Sequence, residues 1–130
     1  LKHNTYSLFI VNIACPDMVA HTGSMEATRM AIVAADKAIG EIVKAVLVRN
    51  GLLIVTADHG NAEELINSHA QEGIPDTEHS TNPVPIILVS DELKQQKIEM
   101  HEGVLADVAP TILKYLGIEK PIEMTGQALY

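Results

Sequence analysis

The stretch TADHGNAEE, Thr56 to Glu64, follows directly on the apolar run LLIV, Leu52 to Val55. These two stretches together are the strongest indication of the fold. A short apolar run next to turn residues is typical of a buried strand, so the sequence predicts a strand over Leu52–Ala57. An aspartate and a histidine, Asp58 and His59, come directly after it. Because ionisable groups are costly to bury in an apolar core, this pair calls for a chemical explanation.

The alternation of apolar runs with a long Ala-rich segment predicts an α/β fold with a mostly parallel sheet. Ser7–Ile13 and Val84–Ser90 are short apolar runs typical of buried strands. The segment from Ser24 to Asn50 carries apolar residues at helical spacing, with Ser24 as a candidate N-cap and Gly51 as a candidate C-terminal glycine. Strand, helix and strand form a βαβ unit, in which the two strands are parallel.

The rest of the chain contains one unusually long polar connection. Asp58–Asn82 is mostly polar, and loops of this length in a compact domain usually have a function. The segment Asp91–Gly103 is predicted to be a charged connection, and Val104–Leu116 a final helix that Gly117 ends.

Two pairs of Asp and His residues follow the ends of two predicted strands. Asp17 and His21 follow the first strand, and Asp58 and His59 follow the second. In parallel α/β sheets, reactive groups gather beyond the carboxyl ends of the strands, so both pairs are expected at one edge. His79, at the end of the long loop, is a candidate to return to the same edge.

These residue types suit a divalent transition metal. Aspartate oxygen with imidazole nitrogen favours Zn²⁺, Mn²⁺ or Fe²⁺ over Ca²⁺ or Cu(I). One helical turn would place Asp17 and His21 on the same face, and Gly60 allows the chain to turn after Asp58 and His59. Two clusters at one edge suggest two ions, as in enzymes of phosphoryl transfer.

Each of these patterns taken alone is more typical of an ordinary surface turn or loop. Ser80 lies beside a candidate ligand, but the sequence pairs no base with it, so a nucleophilic role is disfavoured. Cys15 is more typical of a small buried apolar residue than of a ligand. The joint arrangement of the Asp and His residues carries the metal hypothesis.

Composition excludes several other classes of function. With 17 acidic and 9 basic residues among 130, the formal net charge is −8, which argues against a nucleic-acid partner. A single cysteine excludes an internal disulfide and fits a reducing, cytoplasmic compartment. No apolar run approaches the roughly 20 residues that span a bilayer, so no membrane partner is expected. Arg29 and Arg49 are the only arginines, too few to hold an anionic substrate alone.

Four stretches carry a family resemblance: NIACPDMVAHTG, TADHGNAE, HSTNPVPIILVS, and LADVAPTILKYLG with EMTGQAL. Their order and style resemble the C-terminal portion of the cofactor-independent (2,3-bisphosphoglycerate-independent) phosphoglycerate mutases. That family is a member of the alkaline-phosphatase-like metalloenzyme superfamily. The resemblance implies a three-layer α/β sandwich, of which residues 1–130 would be a partial single domain. It would lack the N-terminal segment and the inserted substrate-binding domain.

The resemblance also implies a site and a reaction. Asp17, His21 and His79 match the protein ligands of one Mn²⁺ ion, and Asp58 and His59 match two ligands of a second, with Mg²⁺, Zn²⁺ or Fe²⁺ as alternatives. The nucleophilic serine of the family lies in the remainder of the polypeptide. The implied activity is that of an isomerase of glycolysis, which interconverts 3-phosphoglycerate and 2-phosphoglycerate through phosphoserine, with the isolated chain inactive.

Two alternatives remain open: a non-catalytic metal-binding or interaction module, and a phosphatase or phosphodiesterase of the same superfamily. The chain also departs from the family pattern at two positions, where Cys15 and Ala20 replace an asparagine and a glycine. If position 20 required a positive φ, Ala20 would be strained by about 1 kcal/mol or more.

Overall fold

The computed structural model describes residues 6–65 and 78–130. Its contacts divide the chain into two compact units, residues 1–88 and 89–130. Part of the predicted long loop, residues 66–77, lies outside the described residues. Among the described residues, no helix is both long enough and apolar enough to cross a membrane.

Two helices begin the first unit. Helix α1 spans Cys15–Ala20 and helix α2 spans Met25–Leu47, and the two pack against each other. The predicted N-cap is confirmed, because the side chain of Ser24 accepts a hydrogen bond of 3.3 Å from the backbone N–H of Ala27. The left-handed residue after α2 is Asn50 rather than Gly51.

The strands differ from the prediction at one place. Strand β1 spans Leu53–Thr56 and is hydrogen-bonded to strand β2, Ile86–Val89, which confirms the second and third predicted strands. The prediction of a buried strand over Ser7–Ile13 is wrong: this segment has no regular secondary structure and is mostly exposed. A strand forms only where a neighbour takes up its backbone hydrogen bonds, and no described strand pairs with this segment, so the predicted βαβ unit is absent from the described residues.

The second unit contains a helix that the sequence did not predict. Helix α3 spans Asp91–Gln96 within the segment expected to be a charged connection. A 3₁₀ turn at Leu105–Asp107 leads into helix α4, Val108–Tyr115. The predicted end of this helix is confirmed, because Gly117 follows with a φ of 66°.

The two family departures occupy the ends of α1. Cys15, for which a buried position was favoured, is exposed at the first position of α1. Ala20 is fully buried, and it is not among the described residues with positive φ. The strain expected for an alanine with positive φ therefore does not arise.

Candidate metal centre

Helix α1 presents two of the predicted ligands one turn apart. Asp17 lies in the first turn of α1, and His21 is the C-cap residue. The backbone N–H of His21 donates to the carbonyl of Asp17 at 3.2 Å, which closes the turn. The two side chains therefore lie on one face, with Oδ1 of Asp17 3.4 Å from Nε2 of His21.

His79 completes a triangle of ligand atoms. Its Nε2 lies 3.6 Å from Oδ1 of Asp17 and 3.2 Å from Nε2 of His21. Ligand atoms around a tetrahedral ion with bonds of 2.0–2.1 Å are about 3.4 Å apart. The three atoms therefore have the mutual spacing of ligands that share one cation.

The second predicted pair lies beside this triangle. The ring of His59 stacks on the ring of His79, with centroids 3.7 Å apart and planes at 20°. Nδ1 of His59 lies 3.3 Å from the carbonyl oxygen of Gly60. Because a carbonyl only accepts, this contact favours the tautomer with the hydrogen on Nδ1 and the lone pair on Nε2, which lies 3.6 Å from Oδ1 of Asp58.

A second grouping of the same residues is also geometrically possible. Among the described residues, Asp17, His59 and His79 offer ligand atoms that all lie within 4.8 Å of one another. His59 is thus close to both predicted ion positions, whereas the side chain of Asp58 is 89% exposed. The structure therefore brings all five predicted residues into one neighbourhood, with His59 and His79 at its centre.

The Asp17 carboxyl is held in its ionised form. The side-chain amide of Asn61 donates to Oδ1 at 2.8 Å, and this bond is the main reason that the pKa of Asp17 lies below its ordinary value. Partial burial opposes the shift, and the nearby imidazoles of His21, His59 and His79 favour it. A carboxylate with this environment is ready to bind a cation at neutral pH.

Asn61 is one of two important residues that sequence reasoning missed. Its side chain is almost fully buried, and Nδ2 lies 3.5 Å from Nε2 of His21 as well as against Asp17. Its Oδ1 is buried without a hydrogen-bond partner among the described residues. An asparagine after Asp-His-Gly is typical of a turn, so residue type alone did not distinguish it.

Glu63 is the second residue that sequence reasoning missed. Its carboxylate accepts hydrogen bonds from the Ser80 hydroxyl, the backbone N–H of Asn61 and the side-chain amide of Asn82. The Ser80 bond is the largest cause of a pKa lowered to about 2. A carboxylate with so low a pKa is a weak base, so Ser80 has no group that would activate it among residues 6–65 and 78–130.

The donor set fits a transition metal. One carboxylate oxygen and three imidazole nitrogens are the ligand types that Mn²⁺, Zn²⁺ and Fe²⁺ accept. The ligand atoms are already spaced for a shared ion, and Asn61 supplies the outer hydrogen bond that orients a ligating carboxylate.

Comparison with known proteins agrees with this chemistry. The chain is 46% identical over its whole length to a 2,3-bisphosphoglycerate-independent phosphoglycerate mutase of Clostridium acetobutylicum, covering 25% of that protein. It is 49% identical to the enzyme of the same name from Acetivibrio thermocellus, over 99% of the chain and 24% of the relative. The chain thus spans about a quarter of the length of the curated relatives it matches.

The fold comparison gives the same result. The structure is similar to a crystal structure of Leishmania mexicana phosphoglycerate mutase at low cobalt concentration, with a TM-score of 0.88 and 30% identity. The likeness covers 99% of this chain and 26% of that one, and it confirms the α/β, alkaline-phosphatase-like fold that the resemblance implied. A family profile described as "Metalloenzyme superfamily" matches residues 1–120. With this match over most of its length, the chain belongs to the metalloenzyme superfamily.

Proposed function

We propose that this chain is the metal-binding C-terminal part of a phosphoglycerate mutase that interconverts 3-phosphoglycerate and 2-phosphoglycerate through a phosphoserine intermediate. The observation that carries the proposal is the triangle formed by Asp17, His21 and His79, with atom separations of 3.2–3.6 Å. The curated relatives of the same name, matched over nearly the whole chain, support the choice of reaction. The enzyme would be an isomerase of glycolysis in the cytoplasm.

The proposed cofactors are two Mn²⁺ ions, with Mg²⁺, Zn²⁺ and Fe²⁺ as competitors. Asp17, His21 and His79 would hold the first ion, and Asp58 and His59 would contribute to the second. When bound, such ions hold phosphate, lower the pKa of a serine nucleophile and neutralise developing charge.

This chain's own residues would prepare the ligands. Asn61 holds the carboxylate of Asp17 ionised and oriented. The Gly60 carbonyl favours the His59 tautomer with its hydrogen on Nδ1, so that Nε2 can ligate. The nucleophilic serine, the remaining ligands and the arginines that grip phosphoglycerate would come from the remainder of the polypeptide, and the chain alone would be inactive.

Exposed apolar residues support a contribution from that remainder. Leu8, Phe9, Ile10 and Val11 are consecutive and at least half exposed, with Ile10 at 88%. Contiguous exposed apolar surface is unusual in a soluble domain and marks an interaction surface. We propose that residues 1–130 are part of one metalloenzyme domain, whose N-terminal segment covers this surface, with a separate inserted domain for the substrate.

The test has two steps. First, the metal-free chain is titrated with Mn²⁺, and the decrease of the free-ion electron paramagnetic resonance signal gives the affinity. We expect saturable binding that a chelator reverses; absence of binding at neutral pH would overturn the metal-centre proposal.

Second, a complete polypeptide containing this chain is assayed with 3-phosphoglycerate and Mn²⁺. We expect 2-phosphoglycerate from the complete polypeptide and none from residues 1–130. Metal binding without turnover by either would favour a non-catalytic module, and hydrolysis of other phosphate esters would favour a phosphatase or phosphodiesterase.

A further inference from the structure

The Glu63 carboxylate joins two segments that each carry candidate ligands. Oε2 accepts from the backbone N–H of Asn61 at 2.9 Å, and Asn61 comes two residues after His59. Oε1 accepts from the Ser80 hydroxyl and from Nδ2 of Asn82 at 3.1 Å, on the segment that begins with His79. One side chain therefore ties together two stretches that lie far apart in the sequence.

Backbone contacts bring the same two segments together. The N–H of Ser80 donates to the carbonyl of Gly60 at 2.8 Å, and the two residues form an isolated antiparallel bridge. Gly60 is buried, and a Cβ added there would overlap Oε1 of Glu63 and Oγ of Ser80. The close approach of these two groups thus depends on the absence of a side chain at position 60.

The hydrogen bonds continue from Glu63 to Asp17, the candidate ligand on helix α1. Asn61, whose backbone N–H binds Glu63, uses its side-chain amide to bind Asp17. Asn61 as a whole residue is 5% exposed, so neither bond competes freely with water. A continuous path therefore runs from Asp17 through Asn61 and Glu63 to Ser80, the neighbour of His79.

We propose that Glu63 is a positioning residue that sets the spacing of the metal ligands by holding the His79 segment against the turn after His59. Glu63 with Asn61, Ser80 and Asn82 is named the Glu63 clamp. Its role in metal binding rests on the proposed function, whereas its role in placing the imidazoles can be tested without metal.

The decisive variant is Glu63→Gln. A carboxylate can accept on both oxygens, but an amide must present an N–H₂ group either to the Asn61 N–H or to the Asn82 amide, so at least one hydrogen bond of the clamp is lost. The matched control is Glu64→Gln, an exposed neighbour in the same 3₁₀ turn at Ala62–Glu64. Removing an outer partner of a metal ligand weakens metal binding by about 10- to 100-fold.

Glu63 acts one step further out, through Asn61 and Ser80. We therefore expect Glu63→Gln to weaken Mn²⁺ binding by about 10-fold, the lower end of that range, and Glu64→Gln to bind as the wild-type chain does. Ser80→Ala is the second variant, because it removes the hydroxyl donor but leaves every carboxylate in place. It should weaken binding in the same direction and by less. Far-UV circular dichroism establishes that each variant is folded.

A metal-free measurement separates this proposal from the proposed function. In the wild-type chain, the stacked rings should give a nuclear Overhauser effect between the carbon-bound ring protons of His59 and His79. We expect Glu63→Gln to lose this signal and Glu64→Gln to keep it. If the wild-type chain binds no Mn²⁺ but Glu63→Gln still loses the signal, the metal proposal fails and the clamp stands. If Glu63→Gln keeps both the signal and wild-type affinity, the clamp is refuted.

Discussion

Each of the two compact units contains a carboxylate that joins distant segments, and the two carboxylates do so in different ways. In the second unit, Asp107 accepts from the backbone N–H of Val104 at 2.7 Å and of Gln127 at 2.8 Å. These bonds lower the pKa of Asp107, with the Val104 bond as the larger cause. In the first unit, two of the three donors to Glu63 are side chains.

The surroundings of the two carboxylates differ as well. Next to Asp107, the fully buried Thr111 donates to the Asp107 carbonyl at 2.7 Å and accepts from the N–H of Leu129 at 3.0 Å. Leu129 is itself buried. Asp107 therefore anchors the C-terminal tail on packed backbone, whereas Glu63 arranges imidazoles through side chains. The comparison indicates that the stability of the C-terminal unit is sensitive to displacement of its backbone. The geometry of the candidate metal centre is instead sensitive to the identity of its side chains.

The largest expected effect is on metal binding and concerns the ligands themselves. His21→Ala removes one corner of the Asp17–His21–His79 triangle and should weaken Mn²⁺ binding by more than about 100-fold, beyond the effect of an outer partner. His59→Ala leaves the triangle intact and should weaken it less. Titration of both variants by electron paramagnetic resonance checks this order. A larger loss in His59→Ala would favour the grouping of His59 with Asp17 and His79 instead.

The second prediction compares two buried glycines. In Gly126→Ala, the added Cβ would overlap the backbone carbonyl of Ala106, which cannot rotate away. We expect the free energy of unfolding to fall by about 1–3 kcal/mol, the usual cost of overpacking, with unchanged Mn²⁺ affinity. In Gly60→Ala the Cβ meets the ends of two side chains, which can move only by breaking their hydrogen bond.

Gly60→Ala should therefore lose more Mn²⁺ affinity and less stability than Gly126→Ala. Urea denaturation and Mn²⁺ titration of both variants give the two quantities. Equal losses of affinity would contradict the contrast between the two units.

The third prediction concerns acid. The pKa of Glu63, lowered to about 2 from an ordinary 4.5, means that its ionised form is favoured in the folded state. The resulting stabilisation is complete above pH 4.5 and is lost as the pH falls towards 2. Glu63→Gln has no such group, so the difference in unfolding free energy between it and the wild-type chain should shrink over this range.

Urea denaturation at a series of pH values measures that difference. Glu64→Gln, the same chemical change outside the clamp, is measured alongside as the control. The assigned hydrogen bonds would be contradicted if the difference in unfolding free energy between Glu63→Gln and the wild-type chain stayed constant from pH 6 to pH 2.

The smallest expected effect lies outside both carboxylate networks. Gly40 is within α2, and a Cβ added there would meet no atom within 4 Å. Alanine is favoured over glycine in a helix interior by about 1 kcal/mol, so Gly40→Ala should raise the free energy of unfolding by up to that amount. Mn²⁺ affinity should not change. A decrease in stability would show that the helix uses the flexibility of this glycine.

Local sequence was sufficient for several features. The N-cap at Ser24, the helix end at Gly117 and the strand before Asp58 depend on neighbouring residues, and each was predicted correctly. The prediction of a strand at Ser7–Ile13 was wrong because a strand also depends on residues that are distant in the sequence. An apolar run indicates that a segment can be buried, but pairing depends on a neighbour that the run itself does not contain.

The sequence by itself determined the ligand chemistry, because Asp17 and His21 are one helical turn apart and Asp58 and His59 are adjacent. Only the tertiary structure decided that His79, 58 residues after His21, comes within 3.2 Å of it. It likewise decided that Asn61 and Glu63 support the centre, since their partners Asp17 and Ser80 are 44 and 17 residues away. Bond geometry fixes contacts within a turn, whereas contacts between distant residues depend on how the whole chain packs.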